Sequence, residues 1–303
     1  MVSRTHRSMC VLALCVIAGA CNVNRALEQV HEARHLAADL QIQFAKAADA
    51  SNLTVMANTD EASSAFAREA ESRTANAQKD IELLRPVLEG LGFTEEGRLL
   101  AEFAARFEAY RKLDRDILAL AVENTNSKAE QLSYGASLSA GDALGRALEG
   151  LEPSTDSTEG WHVKALSASV VASAREIEAL QAPHIAAPDD GTMTILEKRM
   201  TAAEQSARAA LKELSTRVRP ASKPSLATAT TALDRLMDAN RQILQLSRRN
   251  TNIRSLALAL TEKPAAVAAG EDRLHALQAA LAKRGYGAQG RFPRTGSPSS
   301  IAP

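Results

Sequence analysis

The sequence predicts an all-α protein of long antiparallel helices in up-and-down bundles, with a tandem duplication of one helical-bundle unit. Three observations predict this fold. Apolar residues recur at three- and four-residue spacing from about residue 24 to residue 284, as in amphipathic helices. Aromatic residues make up only 3% of the 303 residues, whereas strands are rich in aromatic and β-branched residues. Two segments in the two halves match without gaps.

The first 20 residues predict a signal peptide. Arg4 and Arg7 give a positive start, and residues 9–20 are apolar without a charge. This run is too short to span a bilayer as a helix but has the length of a signal-peptide core. We therefore expect an exported protein.

Cys21 directly follows Ala18-Gly19-Ala20, and this order resembles the bacterial lipoprotein box. In that box the cysteine is acylated and becomes the first residue of the mature chain. The prediction is a protein anchored by lipid on the periplasmic side. Cleavage after Ala20 to give a soluble periplasmic protein, and a retained anchor, are the alternatives.

The helical pattern divides the mature chain into two predicted units, 21–150 and 161–285, joined by a polar linker at 151–160. A tail at 286–303, rich in Gly, Pro and Ser, is predicted to be disordered. Each unit has three long predicted helices and one short one. Their approximate ranges are 24–56, 59–91, 94–133 and 140–148 in the first unit, and 161–181, 192–218, 223–261 and 270–284 in the second.

The gapless match joins residues 115–126 to residues 241–252, and seven of the twelve positions are identical. At the same offset Phe107 aligns with Leu233 and Ile117 with Ile243. The core face of the third helix is predicted to consist of Phe103, Phe107, Tyr110, Leu113, Ile117, Leu120 and Asn124. Because the order of helices is also preserved, we interpret the halves as copies. The alternative is two unrelated helices that share a heptad.

Asn-Thr-Asn occurs in both halves, although Asn is a poor helix former. The seam spacing predicts that Asn124 and Asn250 point into the bundle. In one interpretation they bond across the seam and fix register. In the other they line a polar pocket. The candidate residues are Asn124, Asn126 and Lys128 in the first half and Asn250, Asn252 and Arg254 in the second.

His31 and His35, with Glu32 between them, fit the bare pattern of a zinc peptidase. Arg34 puts a cation beside that position, and the sequence offers no clear third ligand. We therefore predict neither a metal site nor a cofactor. The carboxylates of Asp60 and Glu61 could bind a cation, but we favour N-terminal helix capping as the explanation.

Composition excludes several classes of protein. Lys and Arg equal Asp and Glu in number, so the basic excess of a nucleic-acid-binding protein is absent and no nucleic-acid partner is expected. All three cysteines lie at or before Cys21, so the rest of the chain has no disulfide, thiolate metal site or cysteine nucleophile. No phosphate loop or nucleophile elbow is found. We predict that the protein is not an enzyme.

The seam Phe107-x-x-Tyr-x-x-x-Asp-x-x-Ile-Leu-x-Leu-Ala121 and the segment 240–258 resemble the four-helix-bundle sensor domains of bacterial methyl-accepting chemotaxis receptors. The resemblance covers most of residues 24–284. It implies a periplasmic, often dimeric module that detects a small molecule or a binding protein. A second membrane span, a cytoplasmic linker domain and methylated signalling helices are absent from this sequence. The chain cannot itself transmit a signal to the cytoplasm as such receptors do.

The sequence thus predicts a membrane-tethered, sensor-like protein that binds an unidentified small molecule or envelope protein. A homodimer is one of the oligomeric states compatible with the sequence. A structural or interaction scaffold of the cell envelope is the alternative. A zinc-dependent hydrolase that uses His31 and His35 is the remote one.

Acylation of Cys21 is a testable prediction. Mass spectrometry of the mature protein should find a lipid-modified Cys21 at the N-terminus, and Cys21→Ser should release the protein from the membrane fraction. An unmodified Cys21, or a soluble wild-type protein, would contradict the prediction.

Overall fold

The computed structural model describes the backbone of residues 5–153 and 157–287 and the side chains of residues 25–153 and 160–284. The Cys21 side chain lies outside these ranges. So do part of the predicted linker and nearly all of the predicted tail, 154–156 and 288–303. In the described residues no helix is both long and apolar enough to cross a membrane.

The described residues are almost entirely helical, which confirms the all-α prediction. Pro153 and Val218 form an isolated bridge, and the described ranges contain no other β pairing. The helices are α1 (Thr5–Met56), α2 (Asp60–Gly90), α3 (Thr94–Glu123), α4 (Thr125–Leu132), α5 (Leu138–Glu149), α6 (Ser157–Ala186), α7 (Asp190–Arg217), α8 (Lys223–Arg249), α9 (Thr251–Thr261) and α10 (Lys263–Gly287), with a π-helical turn at Ser133–Ser137 and a 3-10 turn at Pro220–Ser222.

The chain divides into two compact units, and both are discontinuous. Unit 1 contains the chain up to Leu53, then Ala65–Asp116, then the chain from Ala259. Unit 2 contains Thr54–Ser64 and Ile117–Leu258. The predicted halves, 21–150 and 161–285, do not coincide with these units, because each unit takes helices from both halves.

The core of unit 1 is built around Phe44 of α1. Its ring meets the rings of Phe103, Phe107 and Tyr110 edge to face at centroid distances of 5.1–5.9 Å. Phe107 stacks on both of its neighbours in α3. Edge-to-face and offset stacks are the favoured geometries of aromatic pairs. Aliphatic side chains surround this cluster, among them Leu40, Ile81, Leu84, Leu88, Leu100, Leu274, Leu277 and Leu281.

Among the described residues, the core of unit 2 contains no aromatic cluster. Small and aliphatic side chains of α5, α6, α7 and α8 fill it, including Leu144, Leu148, Val170, Ile177, Met200, Leu211, Leu214, Leu233 and Leu236. Ala174, Ala203, Ala207 and Ala229 are buried between them, and small residues of this kind let helices approach closely.

Two predicted helix boundaries are wrong. The break expected at Pro183 does not occur, and α6 continues to Ala186, since a proline this close to a helix end disturbs only the last turn. The helix expected to begin at residue 270 begins at Lys263. Pro264 then lies in its first turn, where the missing N–H has no helical acceptor in any case.

Gly270 of α10 tests how tightly unit 1 is packed. A Cβ added there would lie 2.8 Å from two atoms of the Phe44 ring, which three other rings hold in place. Gly270→Ala should therefore lower the free energy of unfolding by about 1–3 kcal/mol. Gly145→Ala is the control, because a Cβ on that α5 glycine meets nothing within 4 Å. Urea denaturation should show it neutral or stabilising. Equal effects of the two substitutions would contradict the packing.

Candidate functional site

The Asn-Thr-Asn segments are helix breaks. We expected Asn124 and Asn250 in the middle of continuous helices, and that expectation is wrong. Asn124 separates α3 from α4 with φ 55° and ψ 38°, and Asn250 separates α8 from α9 with φ 53° and ψ 38°. This left-handed conformation is costly for most residues, and Asn tolerates it better than any other except Gly. A need for left-handed backbone explains why Asn occupies both places.

The two breaks cap each other within unit 2. The N–H of Thr125 donates to Thr251 Oγ1 and the N–H of Thr251 to Thr125 Oγ1, each at 3.2 Å. The N–H of Asn126 donates to Asn252 Oδ1 and the N–H of Asn252 to Asn126 Oδ1, at 3.1 and 3.2 Å. Helix N-termini leave such N–H groups without intrahelical acceptors. Here each helix supplies the caps of the other, over a constant spacing of 126 residues.

The four Asn side chains close the same network. Asn126 Nδ2 donates to Asn250 Oδ1 at 2.9 Å, and Asn252 Nδ2 donates to Asn124 Oδ1 at 2.5 Å. Asn250 Nδ2 also reaches the carbonyl of Ala187 at 3.0 Å. Asn124 and Asn250 are 1% and 6% exposed, so they face the interior as expected. Because the amides of the four Asn residues bond to one another, this geometry favours the interpretation that they fix the register of the helices over the one in which they line a pocket.

The two basic candidates do not join this network symmetrically. Lys128 Nζ donates to the carbonyl of Glu123 at 2.8 Å and pairs with Asp60 at 3.1 Å. Asp60 also accepts from Asn124 Nδ2 at 3.2 Å. The Arg254 side chain is exposed, and its backbone N–H starts α9 by donating to the carbonyl of Asn250. The structure thus brings together five of the six predicted residues and leaves Arg254 apart.

Unit 1 contains a buried charged layer that the sequence did not predict. Lys263 of α10 is 2% exposed and Asp114 of α3 is 3% exposed. Lys263 Nζ lies 3.0 Å from the carbonyl of Ala48, 2.9 Å from Asn52 Oδ1 and 3.5 Å from Asp114 Oδ1. Ser51 donates to the same Asp114 oxygen at 2.5 Å. Buried charges are costly unless such partners surround them.

Burial and charge pairing shift the pKa values of this layer in opposite directions. Burial lowers the pKa of the Lys263 ammonium and raises the pKa of the Asp114 carboxyl, and each charge opposes the shift of the other. Burial, with the Asp114 carboxylate nearby, raises the pKa of Tyr110 far above its ordinary value. The Tyr110 hydroxyl is buried and makes no hydrogen bond of ordinary geometry within the described residues. It lies beside the Asp114 carboxylate, and the contact between the two groups contributes to the shift.

A groove of about 330 Å³ opens beside this layer, between α1 and α10 of unit 1. Its polar lining includes Lys263, and its remaining walls are small and apolar. The lining residues are Ala45, Ala48, Asp49, Asn52, Ala259, Lys263, Pro264, Val267, Ala268 and Glu271. It therefore combines apolar walls with a few polar groups, as small-molecule sites do.

Unit 2 has a neutral polar layer at the equivalent places. Gln181 Nε2 donates to Asn240 Oδ1 at 3.1 Å and to Ser137 Oγ at 2.9 Å. Ser133 Oγ donates to Gln181 Oε1 at 2.7 Å. Both serines belong to the π-helical turn, a deformation that is frequent at functional sites. Asn240 lies 126 residues after Asp114, and Lys263 lies 126 residues after Ser137, the spacing of the capping pairs.

Unit 2 also contains a Ser-His-Glu arrangement. His184 Nδ1 lies 2.5 Å from Ser247 Oγ, and His184 Nε2 lies 3.0 Å from Glu197 Oε1. Arg248 donates to Glu197 through Nε at 2.7 Å and through Nη2 at 2.8 Å. The order of residue types matches that of a catalytic triad, although the serine lies at Nδ1 and the carboxylate at Nε2, the reverse of the usual arrangement. However, Ser247 and His184 are both fully buried, so a substrate cannot reach the hydroxyl. We interpret the arrangement as a structural tie between α6, α7 and α8.

The histidines of the zinc pattern lie on the surface of α1. His31 and His35 are exposed, and His35 Nδ1 is 2.8 Å from Asp39. Arg34 donates to the carbonyls of Leu281 and Ala282 at the end of α10. Among the described residues no group of three or more metal-binding side chains lies together.

A stricter reading of the heptad would have found the polar layers. We expected Leu113 and Leu120 on the core face of α3, but Asp114 and Ala121 are buried in their place. The alternating spacing of four and three from Phe103 reaches both of these positions. Extending it to the second half gives Asn240 and Ser247. The sequence therefore contained the positions of the polar layers, but the expectation of a purely hydrophobic stripe placed the neighbouring Leu113 and Leu120 in the core instead.

Comparisons with protein-family models, with curated protein sequences and with solved structures found no match for this chain.

His184 makes the stability of the protein depend on pH. Burial is the main cause that lowers its pKa below 6.5, and the neighbouring Arg248 acts in the same direction, while Glu197 opposes them. The unfolded chain therefore binds a proton more readily than the folded one as pH falls below about 6.5. The free energy of unfolding keeps its full value above that pH. As the pH falls below it, the free energy of unfolding should decrease by up to about 1.4 kcal/mol per pH unit.

Urea denaturation of wild type and His184→Gln between pH 7.5 and 5 measures this effect. The variant should lose the decrease between pH 6.5 and 5, while His162→Gln, which changes an exposed histidine, should keep it. An unchanged pH dependence in His184→Gln would contradict the assignment.

Proposed function

We propose that the protein is a ligand-binding helical-bundle module of the cell envelope, tethered on the periplasmic side by a lipid on Cys21 and without catalytic activity. The observation that carries this proposal is the groove of unit 1 beside the buried pair Lys263 and Asp114. A charged pair in a bundle core stabilises poorly compared with apolar packing, so its position next to an opening favours a role in binding.

The charges of the groove favour a small organic cation as ligand. The three protons of the Lys263 ammonium face the carbonyl of Ala48, Asn52 and Asp114, so that group has no donor left for an anion. Asp49 and Glu271 also line the groove, and in the described part of the chain neither forms an ion pair. Two carboxylates and short apolar walls suit an amine on a short alkyl chain.

We propose also that the two halves are copies of one repeat. The gapless sequence match, the two left-handed Asn residues and the reciprocal caps share the spacing of 126 residues. The repeat makes the two polar layers comparable. The layer of unit 2 is neutral and closed by its own hydrogen bonds, whereas the layer of unit 1 is charged and lies beside the groove. This difference supports unit 1 as the binding unit.

One observation favours the second candidate, an envelope scaffold. The side-chain amides of the four Asn residues at the breaks bond to each other, to backbone carbonyls and to the side chains of Asp60 and Ser127. A scaffold needs this rigidity and no ligand. Binding to the groove separates the two candidates.

Isothermal titration with 1,4-diaminobutane tests the proposal, with 1,4-butanediol as the uncharged ligand of the same length. The diamine should bind and the diol should not. Asp49→Asn and Glu271→Gln should each weaken binding about tenfold or more, since a charged hydrogen bond contributes about 1.5–3 kcal/mol.

Asp272→Asn is the matched control, because Asp272 is an exposed carboxylate of α10 next to Glu271 but does not line the groove. It should bind like wild type. Equal weakening by Asp272→Asn would indicate nonspecific attraction, and no binding of the diamine to wild type would favour the scaffold.

A further inference from the structure

We infer that the two repeats of this chain exchange their last helical segments, so that each repeat is completed only by the other. The inference concerns how the chain assembles and is independent of any ligand. The surface on which each exchanged segment packs therefore belongs to the other half of the same chain.

The composition of the units is the first observation. Unit 1 has α1, most of α2 and most of α3 from the first repeat, but its fourth helix is α10 from the second. Unit 2 has α6, α7 and α8 from the second repeat, but α4 and α5 from the first. The core of unit 1 includes Leu274, Leu277 and Leu281, and that of unit 2 includes Leu144 and Leu148. Each core thus depends on a helix from the other repeat.

The capped breaks provide the second observation. In each repeat the left-handed Asn lies near the residue at which the chain passes from one unit to the other, Ile117 in the first repeat and Ala259 in the second. Thr125 and Asn126 start α4 of the first repeat, and Thr251 and Asn252 start α9 of the second. These four residues cap one another within unit 2, so α4 and α9 begin at one shared point.

The polar layers show why the exchange is specific. Asp114 of the first repeat meets Lys263 of the second, at 3.5 Å. Gln181 of the second repeat donates to Ser137 of the first at 2.9 Å and to Asn240 of its own repeat at 3.1 Å, so it links Asn240 to Ser137. Lys263 and Ser137 are the equivalent residues of the two exchanged segments.

Without the exchange the same layers would be mismatched. Asp114 would face Ser137, and Lys263 would face Asn240, so that two buried charges would lose their partners. Removing one partner of a buried pair is strongly destabilising, and such a penalty excludes the competing arrangement. The position of one Lys and one Asp therefore specifies which repeat completes which unit.

The first experiment cuts the mature chain at a specific protease site inserted within residues 154–156. Both fragments should elute together in size-exclusion chromatography at low micromolar concentration and separate only in denaturant, because each contributes to both cores. Fragments that separate under native conditions would overturn the inference.

The second experiment moves the charges. In the exchanged arrangement, Asp114→Asn with Asn240→Asp leaves Lys263 and the new carboxylate unpaired, and the melting temperature should fall by about 10 °C. Adding Ser137→Lys and Lys263→Ser pairs the charges again in unit 2, and should restore at least half of the loss. If each repeat kept its own segment, the double variant would be tolerated and the fourfold variant would be the unstable one. That reversed order would overturn the inference.

Discussion

The reciprocal capping of two helix N-termini is the constraint on which the rest of this structure depends. A helix that begins inside a protein must find acceptors for its first N–H groups. Here the acceptors are the hydroxyl and amide oxygens of Thr125, Asn126, Thr251 and Asn252. The caps require the chain to break immediately before each helix, and the left-handed conformation of Asn124 and Asn250 provides that break. The two breaks thus fix where α4 and α9 begin.

The second constraint is the polar layer in each bundle. Cores made of Ala, Leu and Val pack in many similar ways, and a buried polar contact is one means by which a bundle distinguishes among them. The two layers use different chemistry at equivalent places. Lys263 and Asp114 form a charged pair in unit 1, whereas Gln181 and Asn240 form neutral hydrogen bonds in unit 2. The charged layer has a groove beside it, and our proposal of ligand binding rests on this difference.

The resemblance to chemotaxis sensor domains agrees with the helical-bundle character of the chain but does not identify its function. The proposed ligand site depends on contacts of this chain alone. The Ser247–His184–Glu197 arrangement shows why geometry must be weighed together with access. Its hydrogen bonds follow the order of a triad, yet the hydroxyl and the imidazole are fully buried, so the contacts stabilise the bundle and do not form an open active site.

The helical class and most helix ends could be predicted from the sequence, because they depend on local periodicity and on capping residues such as Thr59, whose Oγ1 accepts from the N–H of Ala62. The sequence also indicated that Asn124 and Asn250 are equivalent and buried. It could not show that these residues break their helices, that Asp114 and not Leu113 is buried in the core, or which repeat contributes α10 to unit 1. The physical reason is that helix periodicity is a local property. The reciprocal caps join residues that are 126 positions apart, and the salt bridge joins Asp114 to Lys263. These contacts form between distant segments, so the pattern of either segment alone does not predict them.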